Sequence, residues 1–295
     1  MKILLTGKNG QVGFELQRAL APLGEVIAVD HLECDLADPA AIRRLVAEVA
    51  PQIIVNPAAY TAVDKAESEP ELARAINATA PGIFGQEAAR LGALVVHYST
   101  DYVFDGTKQG AYTEDDMPNP QSVYGKTKLA GEQALLASGA GSLIFRTSWV
   151  FGAHAGNFAK TMLRLAAERD ALKIVADQFG APTSASLLAD VTAQAIGRYQ
   201  REGKASFPLG LYHLVAGGLT TWHAYAQAVV RAAELAGKPL KVKAEDIVPI
   251  ATTDYPLPAP RPANSHLDTR RLQAAFGLRL PDWQNGLDHV LQQIL

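Results

Sequence analysis

The segment Gly7-Lys8-Asn9-Gly10-Gln11-Val12-Gly13 decides how this chain is read. It follows the mostly apolar run Lys2 to Thr6 and opens a stretch, Gln11 to Ala21, whose apolar positions recur at helical spacing. In a strand-turn-helix unit, such glycines let the backbone turn tightly and bring N–H groups against a pyrophosphate. The positive end of the helix dipole favours the same anion. The spacing is GxxGxxG, and it predicts that Gly7, Gly10, Gln11, Val12 and Gly13 cradle a dinucleotide.

Outward from the cradle, short apolar runs alternate with helical patterns, the sign of βαβ units and a parallel sheet. Strands are predicted at Lys2 to Thr6, Glu25 to Val29, Ile53 to Asn56, Leu94 to Ser99 and Ser142 to Arg146. Helices are predicted at Gln11 to Ala21, Pro39 to Val49 and Ser122 to Leu136. The fold class is therefore α/β: a doubly wound, Rossmann-type parallel sheet with a smaller C-terminal substrate-binding part. Residues 1–150 read as the dinucleotide-binding domain. Residues 151–295 read as a mixed region, a substrate cap plus elements returning to the main sheet, with Ile174 to Val175 and Leu211 to Leu214 as candidates for that return. The polar stretch Asp105 to Gln121 is long for a connection and reads equally as a lid or as a loose surface loop.

With 295 residues, 48% hydrophobic and 19% charged, the chain can bury a substantial core. A net charge of -3 with scattered Lys and Arg offers no basic stripe, which argues against nucleic acid as a partner. No apolar run approaches the roughly 20 residues of a membrane helix, so no membrane is expected. The lone Cys34 and an N-terminus unlike a signal peptide fit a reducing cytoplasm.

Asp30, closing the second strand, is placed to hydrogen-bond a ribose hydroxyl, which favours NAD. Lys8 and His31 lie close enough to help hold a 2′-phosphate, so NADP stays open. Asp35 and Leu36 read equally as an adenine contact or as an exposed loop, and Asn56-Pro57-Ala58-Ala59-Tyr60-Thr61 ends the third strand with small residues, as suits either a cofactor that leaves little room or a tight turn.

Tyr124 and Lys128 stand four residues apart, on one face of a helix. A phenol with a pKa near 10 is a poor acid-base catalyst at neutrality, and an adjacent ammonium and a cationic nicotinamide favour its ionised form. Lowering that pKa by about three units requires roughly 4 kcal/mol. Thr100, at the end of the fourth strand, supplies a hydroxyl at the carboxyl edge of the sheet. Together they suit carbonyl reduction, with Thr100 polarising the oxygen, Tyr124 donating the proton and Lys128 also holding the nicotinamide ribose.

With cradle, threonine and Tyr-x-x-x-Lys in order, the chain resembles the extended short-chain dehydrogenases. Further segments narrow this: Val55-Asn56 with Thr61 to Glu67, Ser99 to Phe104, Phe145 to Val150, Asp177 to Thr183, and Arg261 to Ser265. They resemble the dTDP-4-dehydrorhamnose reductase family. That resemblance implies reduction of dTDP-4-dehydro-L-rhamnose to dTDP-L-rhamnose, with NADPH as the usual cofactor and NADH often tolerated. It also implies that Gly10, Gln11, Val12, Asp30, Asp35, Leu36, Ala59, Tyr60 and Thr61 contact the cofactor. Thr100 and Asp101 would contact the sugar and Trp149 the nucleotide-sugar, with Gln178, Arg261 and Asn264 as further candidates. Some relatives are dimers with magnesium at the subunit contact. Here Glu15 could supply one ligand, but Ser186 stands where a second acid is sought, so no metal is assigned and a homodimer is left open.

Three rivals share parts of this pattern. A 4,6-dehydratase needs a second acid beside Asp101, where Tyr102 stands. An epimerase retains oxidised cofactor through its cycle. A dinucleotide-binding regulatory subunit has no need of the complete Thr100, Tyr124 and Lys128 set.

Overall fold

The computed structural model describes residues 1–295. Six strands form the main sheet: β1 (Lys2–Leu5), β2 (Glu25–Ala28), β3 (Ile53–Asn56), β4 (Leu94–Thr100), β5 (Gly141–Thr147) and β6 (Gly210–His213). Their spatial order is β6-β5-β4-β3-β1-β2, and every pairing is parallel. The order reverses at β1, which has β2 on one side and β3 on the other. A crevice therefore opens beyond the carboxyl end of β1, where doubly wound sheets take their ligands.

The strands are apolar on both faces because helices cover both. Ile3, Leu5, Ile53, Val55, Leu94 and Val96 point into one core, and Leu4, Ile54 and Val95 into the other, the period-two alternation of a pleated strand. The first face is covered by α1 (Gln11–Leu20), through Leu16 and Leu20, and by a helix at Ala185–Glu202. The second is covered by α2 (Pro39–Val49), α3 (Ala80–Leu91) and α4 (Val123–Ala137). Local chemistry starts these helices. Asp38 accepts from Ala40 N–H ahead of Pro39, and Ser122 accepts from Gly125 N–H at 3.1 Å.

A third apolar cluster, with Phe151, Met162, Tyr225, Val229, Trp283 and Leu287, sits apart from the sheet. Of the two candidate returning strands, Leu211 to His213, with Leu214 N–H bonding Arg146 O just beyond it, joins the main sheet as part of β6. Ile174 to Val175 does not: Lys173–Val175 pairs with Val248–Ile250 in a separate two-stranded sheet. So short an apolar run carries no information about its partner.

The polar stretch after β4 is tied down, unlike a loose loop. The Asp105 carboxylate accepts from Thr107 Oγ1 at 2.8 Å, Tyr112 Oη at 2.9 Å and Asn119 Nδ2 at 2.9 Å. Tyr112 is buried, stacks on Phe104 with centroids 4.2 Å apart, and donates its N–H to His266 O. No helix is long and apolar enough to cross a membrane.

Candidate active site

At the strand-order reversal, Gly7 takes φ 61, in the left-handed region that glycine enters freely. Gly10 N–H bonds Gly7 O at 3.0 Å and closes the turn. A Cβ built on Gly13 would lie 2.0 Å from Gly7 O, so only glycine allows α1 to start this close to β1. The turn borders a cleft of about 540 Å³. Gly7, Gly10, Gln11, Val12, Gly13, Asp30, Asp35, Leu36, Ala59, Thr61, Tyr124 and Lys128 all line it. Tyr60 does not. Its phenol donates to Glu69 at 2.7 Å.

At the far end of β2, Asp30 accepts from Leu32 N–H at 2.9 Å and from Asn9 Nδ2, and the Leu32 bond holds its carboxyl below the ordinary value. Lys8, read from sequence as a possible phosphate ligand, is paired with Glu33. His31 lines the cleft.

The opposite end of the cleft holds Tyr124 and Lys128; Thr100, Asp101 and Trp149 are not among its lining residues. Thr100 ends β4, and Tyr124 and Lys128 project from the first two turns of α4. Burial pushes the Tyr124 phenol up to about 12, the neighbouring Thr100 hydroxyl opposes the shift, and the Asp101 charge adds to it. The expected lowering by Lys128 and a cationic nicotinamide together concerns the cofactor-bound state; in the protein alone Lys128 is not among the groups that shift the phenol. The Lys128 ammonium is turned elsewhere, to Tyr98 O at 2.6 Å and His97 Nε2 at 3.4 Å. Lys128 is buried, and burial brings it down to about 8 against the pull of Glu132. A phenol that keeps its proton is the form a reduction needs, because it has a proton to give. Ser99 and Thr147 line the same cleft, and their buried hydroxyls have no partner within the protein, which leaves unused hydrogen-bonding capacity at this end.

Just beyond, Asp101 is buried and accepts from Ser265 Oγ at 2.5 Å and Thr100 Oγ1 at 3.0 Å. Burial raises its carboxyl to about 6, with these two donors opposing. Trp149 follows β5 with φ 49, a strained backbone for a bulky residue. Its indole stacks on Trp222, centroids 3.7 Å apart, and a Cβ on Gly180 would lie 2.6 Å from the ring. Among the lesser candidates, Arg261 anchors Asp64 at 2.6 Å, Asn264 ties Lys108 O and Gly110 O, and Gln178 donates to Thr252 Oγ1. Glu15 is paired with Arg18, and Ser186 donates to Ser184 Oγ.

Several residues at the site escaped the sequence reading. The π-helical turn Ala75–Thr79 buries Asn77, which accepts from Tyr60 N–H at 2.8 Å, donates to Tyr60 O at 3.1 Å and so fixes the cleft wall at Ala59 and Thr61. Trp222 and Ser265 act through Trp149 and Asp101, and a buried polar row of Thr6, Asn56 and His97 runs under the sheet edge. Nothing in a single sequence pairs a residue with a partner so far away along the chain.

The RmlD substrate binding domain family matches residues 1–295. A dTDP-4-dehydrorhamnose reductase of Escherichia coli (strain K12) is 53% identical over 298 residues, covering 100% of this chain and 98% of the relative. The crystal structure of a dTDP-4-dehydrorhamnose reductase from Clostridium acetobutylicum superposes with a TM-score of 0.91 at 37% identity, over 100% of this chain and 99% of that one. A second, from Bacillus anthracis in complex with NADP, gives 0.88 at 33% identity, over 99% of each chain. Matched from end to end in both sequence and fold, the chain belongs to the dTDP-4-dehydrorhamnose reductase family.

Proposed function

We propose that this protein reduces the 4-keto group of dTDP-4-dehydro-L-rhamnose to give dTDP-L-rhamnose, with NADPH as cofactor and NADH also accepted. The observation that carries this reading is that Tyr124 and Lys128 line the same cleft as the glycine turn, at the end away from Asp30. One cofactor can thus lie with its pyrophosphate at Gly7 to Gly13 and its nicotinamide beside the phenol.

The residues fit such a group. Gly7, Gly10 and Gly13 line the cleft where the turn meets it, and the buried Ser99 and Thr147 hydroxyls, without a partner in the protein, belong to residues that line the same cleft. Asp30 would hold the adenosine ribose, Asp35 and Leu36 the adenine, and Lys128 the nicotinamide ribose. When bound, the reduced nicotinamide supplies a hydride to the carbonyl carbon. Thr100 Oγ1, on turning its proton away from Asp101, would donate a hydrogen bond to the carbonyl oxygen and draw charge onto it, and Tyr124 Oη would deliver the proton that completes the alcohol. Trp149, held in strained backbone against Trp222, covers the nucleotide-sugar, and Asp101, positioned by Ser265, orients the sugar.

We assign the substrate cap to the part of residues 151–295 that carries the third apolar cluster, and the dinucleotide-binding part to residues 1–150. The single thiol of Cys34, buried and without a partner, suits a reducing cytoplasm. The test is turnover on this sugar. NADPH oxidation should be stoichiometric with dTDP-L-rhamnose formed, and purified protein should depend on added cofactor. Interconversion of sugar epimers with no net consumption of NADPH would overturn the assignment.

A further inference from the structure

Beneath the cleft, four buried polar side chains meet end to end. Thr6 Oγ1 lies 2.6 Å from Asn56 Oδ1, Asn56 Nδ2 lies 3.2 Å from His97 Nδ1, and His97 Nε2 lies 3.4 Å from Lys128 Nζ. Thr6 is the last residue before the glycine turn, and its hydroxyl also meets the Ala58 N–H in the cleft wall at 3.4 Å. Every member is 2% exposed or less, and the two ends of the row, Thr6 and Lys128, border the cleft. The row thus joins the cradle to Lys128, which the reading above places in the catalytic set.

We propose that Thr6, Asn56 and His97 form a chain that positions Lys128 and takes one of two directions, according to whether Lys128 is an ammonium or an amine. The reason is a proton count. A neutral imidazole carries one N–H, so one ring nitrogen donates and the other accepts. An ammonium only donates. Facing it, Nε2 must accept, the ring proton sits on Nδ1, and the Asn56 amide turns its oxygen to the ring and its nitrogen to Thr6 Oγ1. With Lys128 as an amine, Nε2–H donates to Nζ, Nδ1 accepts from Asn56 Nδ2, and Asn56 Oδ1 accepts from Thr6. Between the two, Lys128 loses one proton to solvent, while the imidazole keeps one and the amide keeps two. Burial, and then the charge of Lys128, hold His97 well below its ordinary value, so the ring stays neutral throughout.

The other titratable groups facing Lys128 are Tyr124 and Glu132, one helical turn to either side on α4. Asp101 follows β4, and Arg146 of β5 is bound to Glu132. None of them is hydrogen-bonded to His97, and Lys128 is the one charged group that acts on the ring. His97 and Asn56 are on this account positioning residues, since they act through Lys128.

The experiment is a titration of the imidazole nitrogens by nitrogen-15 NMR in the protein without cofactor, with His97 assigned by loss of its signals in His97→Gln. The expected result is an Nδ1–H ring at neutral pH that becomes Nε2–H with a midpoint near about 8, the value for Lys128. In Asn56→Asp, whose carboxylate can only accept, the ring should stay Nδ1–H across the range. The alkaline limb of kcat should also rise by about one pH unit or more. A single tautomer throughout in the native protein overturns the chain whether or not the variant folds, and so does a switch that persists in Asn56→Asp. The inference rests on the reductase reading only for the kcat arm. A fixed tautomer in a protein that still reduces the sugar sinks this proposal alone. A switching tautomer in a protein that does not reduce it sinks the assigned activity alone.

Discussion

Tyr124 and Asp101 show how burial, rather than charge pairing, sets the chemistry at the level of single residues. Tyr124→Phe removes the proton donor and leaves the ring packed edge-on to Tyr102, with centroids 5.4 Å apart. The turnover rate should fall about a hundredfold or more, the magnitude of a lost general acid, while the dissociation constant for NADPH measured by fluorescence changes little. Equal turnover would remove Tyr124 from the mechanism. Asp101 carries a folded-state carboxyl at about 6, raised by burial from 3.8. A raised carboxyl favours the native state fully below its unfolded value, and that contribution is lost as pH rises through about 6. Asp101→Asn, which cannot ionise, should therefore be more stable than the parent at about pH 8, by roughly 3 kcal/mol, and the difference should close toward about pH 4. Unfolding curves in which the difference ignores pH would show that the carboxyl is not strained. The catalytic pair was legible because its spacing of four residues is local to one helix. The state of the phenol was not, because the sequence cannot say that Lys128 turns toward Tyr98 O.

Among the elements, α4 and β5 are joined by a buried ion pair. Arg146 Nε and Nη2 reach Glu132 Oε1 and Oε2 at 2.9 and 2.6 Å, with side chains 4% and 2% exposed, and the guanidinium sits 5.0 Å over the Phe104 ring. Breaking such a pair leaves an uncompensated buried charge. Glu132→Gln should cost about 3 to 5 kcal/mol in denaturant unfolding. A loss below about 1 kcal/mol, the worth of an exposed pair, would show that Arg146 finds other support. The helix also carries Tyr124 and Lys128, so the pair anchors the catalytic face to the sheet. The strands were legible wherever a doubly buried run of Ile, Val and Leu stood between turn residues, and β6 was foreseen from Leu211 to Leu214. Ile174 to Val175 has the same composition but pairs with Val248–Ile250, because a few apolar residues fit any edge that the cap offers. The stretch after β4 was ambiguous for a related reason: its order comes from Asp105 and from Asn264, and the second lies far along the chain.

The whole molecule places its two halves of chemistry at one edge of one sheet. The order reversal at β1 sets the glycine turn there, β4 brings Thr100, and α4 brings Tyr124 and Lys128. Residues beyond 150 supply Trp222 behind Trp149 and Ser265 behind Asp101. This division explains what sequence reading reaches. Motifs that act through the local backbone, such as the turn and the Tyr-x-x-x-Lys pair, announce themselves. Supports contributed from the other half of the chain become visible only when the fold closes. It also makes the central claim testable in one step, because the cofactor, the phenol and the sugar carbonyl must share a site. With NADPH deuterated at the transferring position of nicotinamide C4 and dTDP-4-dehydro-L-rhamnose as substrate, the dTDP-L-rhamnose formed should carry one deuterium on carbon 4 of the sugar. Product that takes its hydrogen at that carbon from water, or carries the label elsewhere, would contradict a direct transfer over Tyr124.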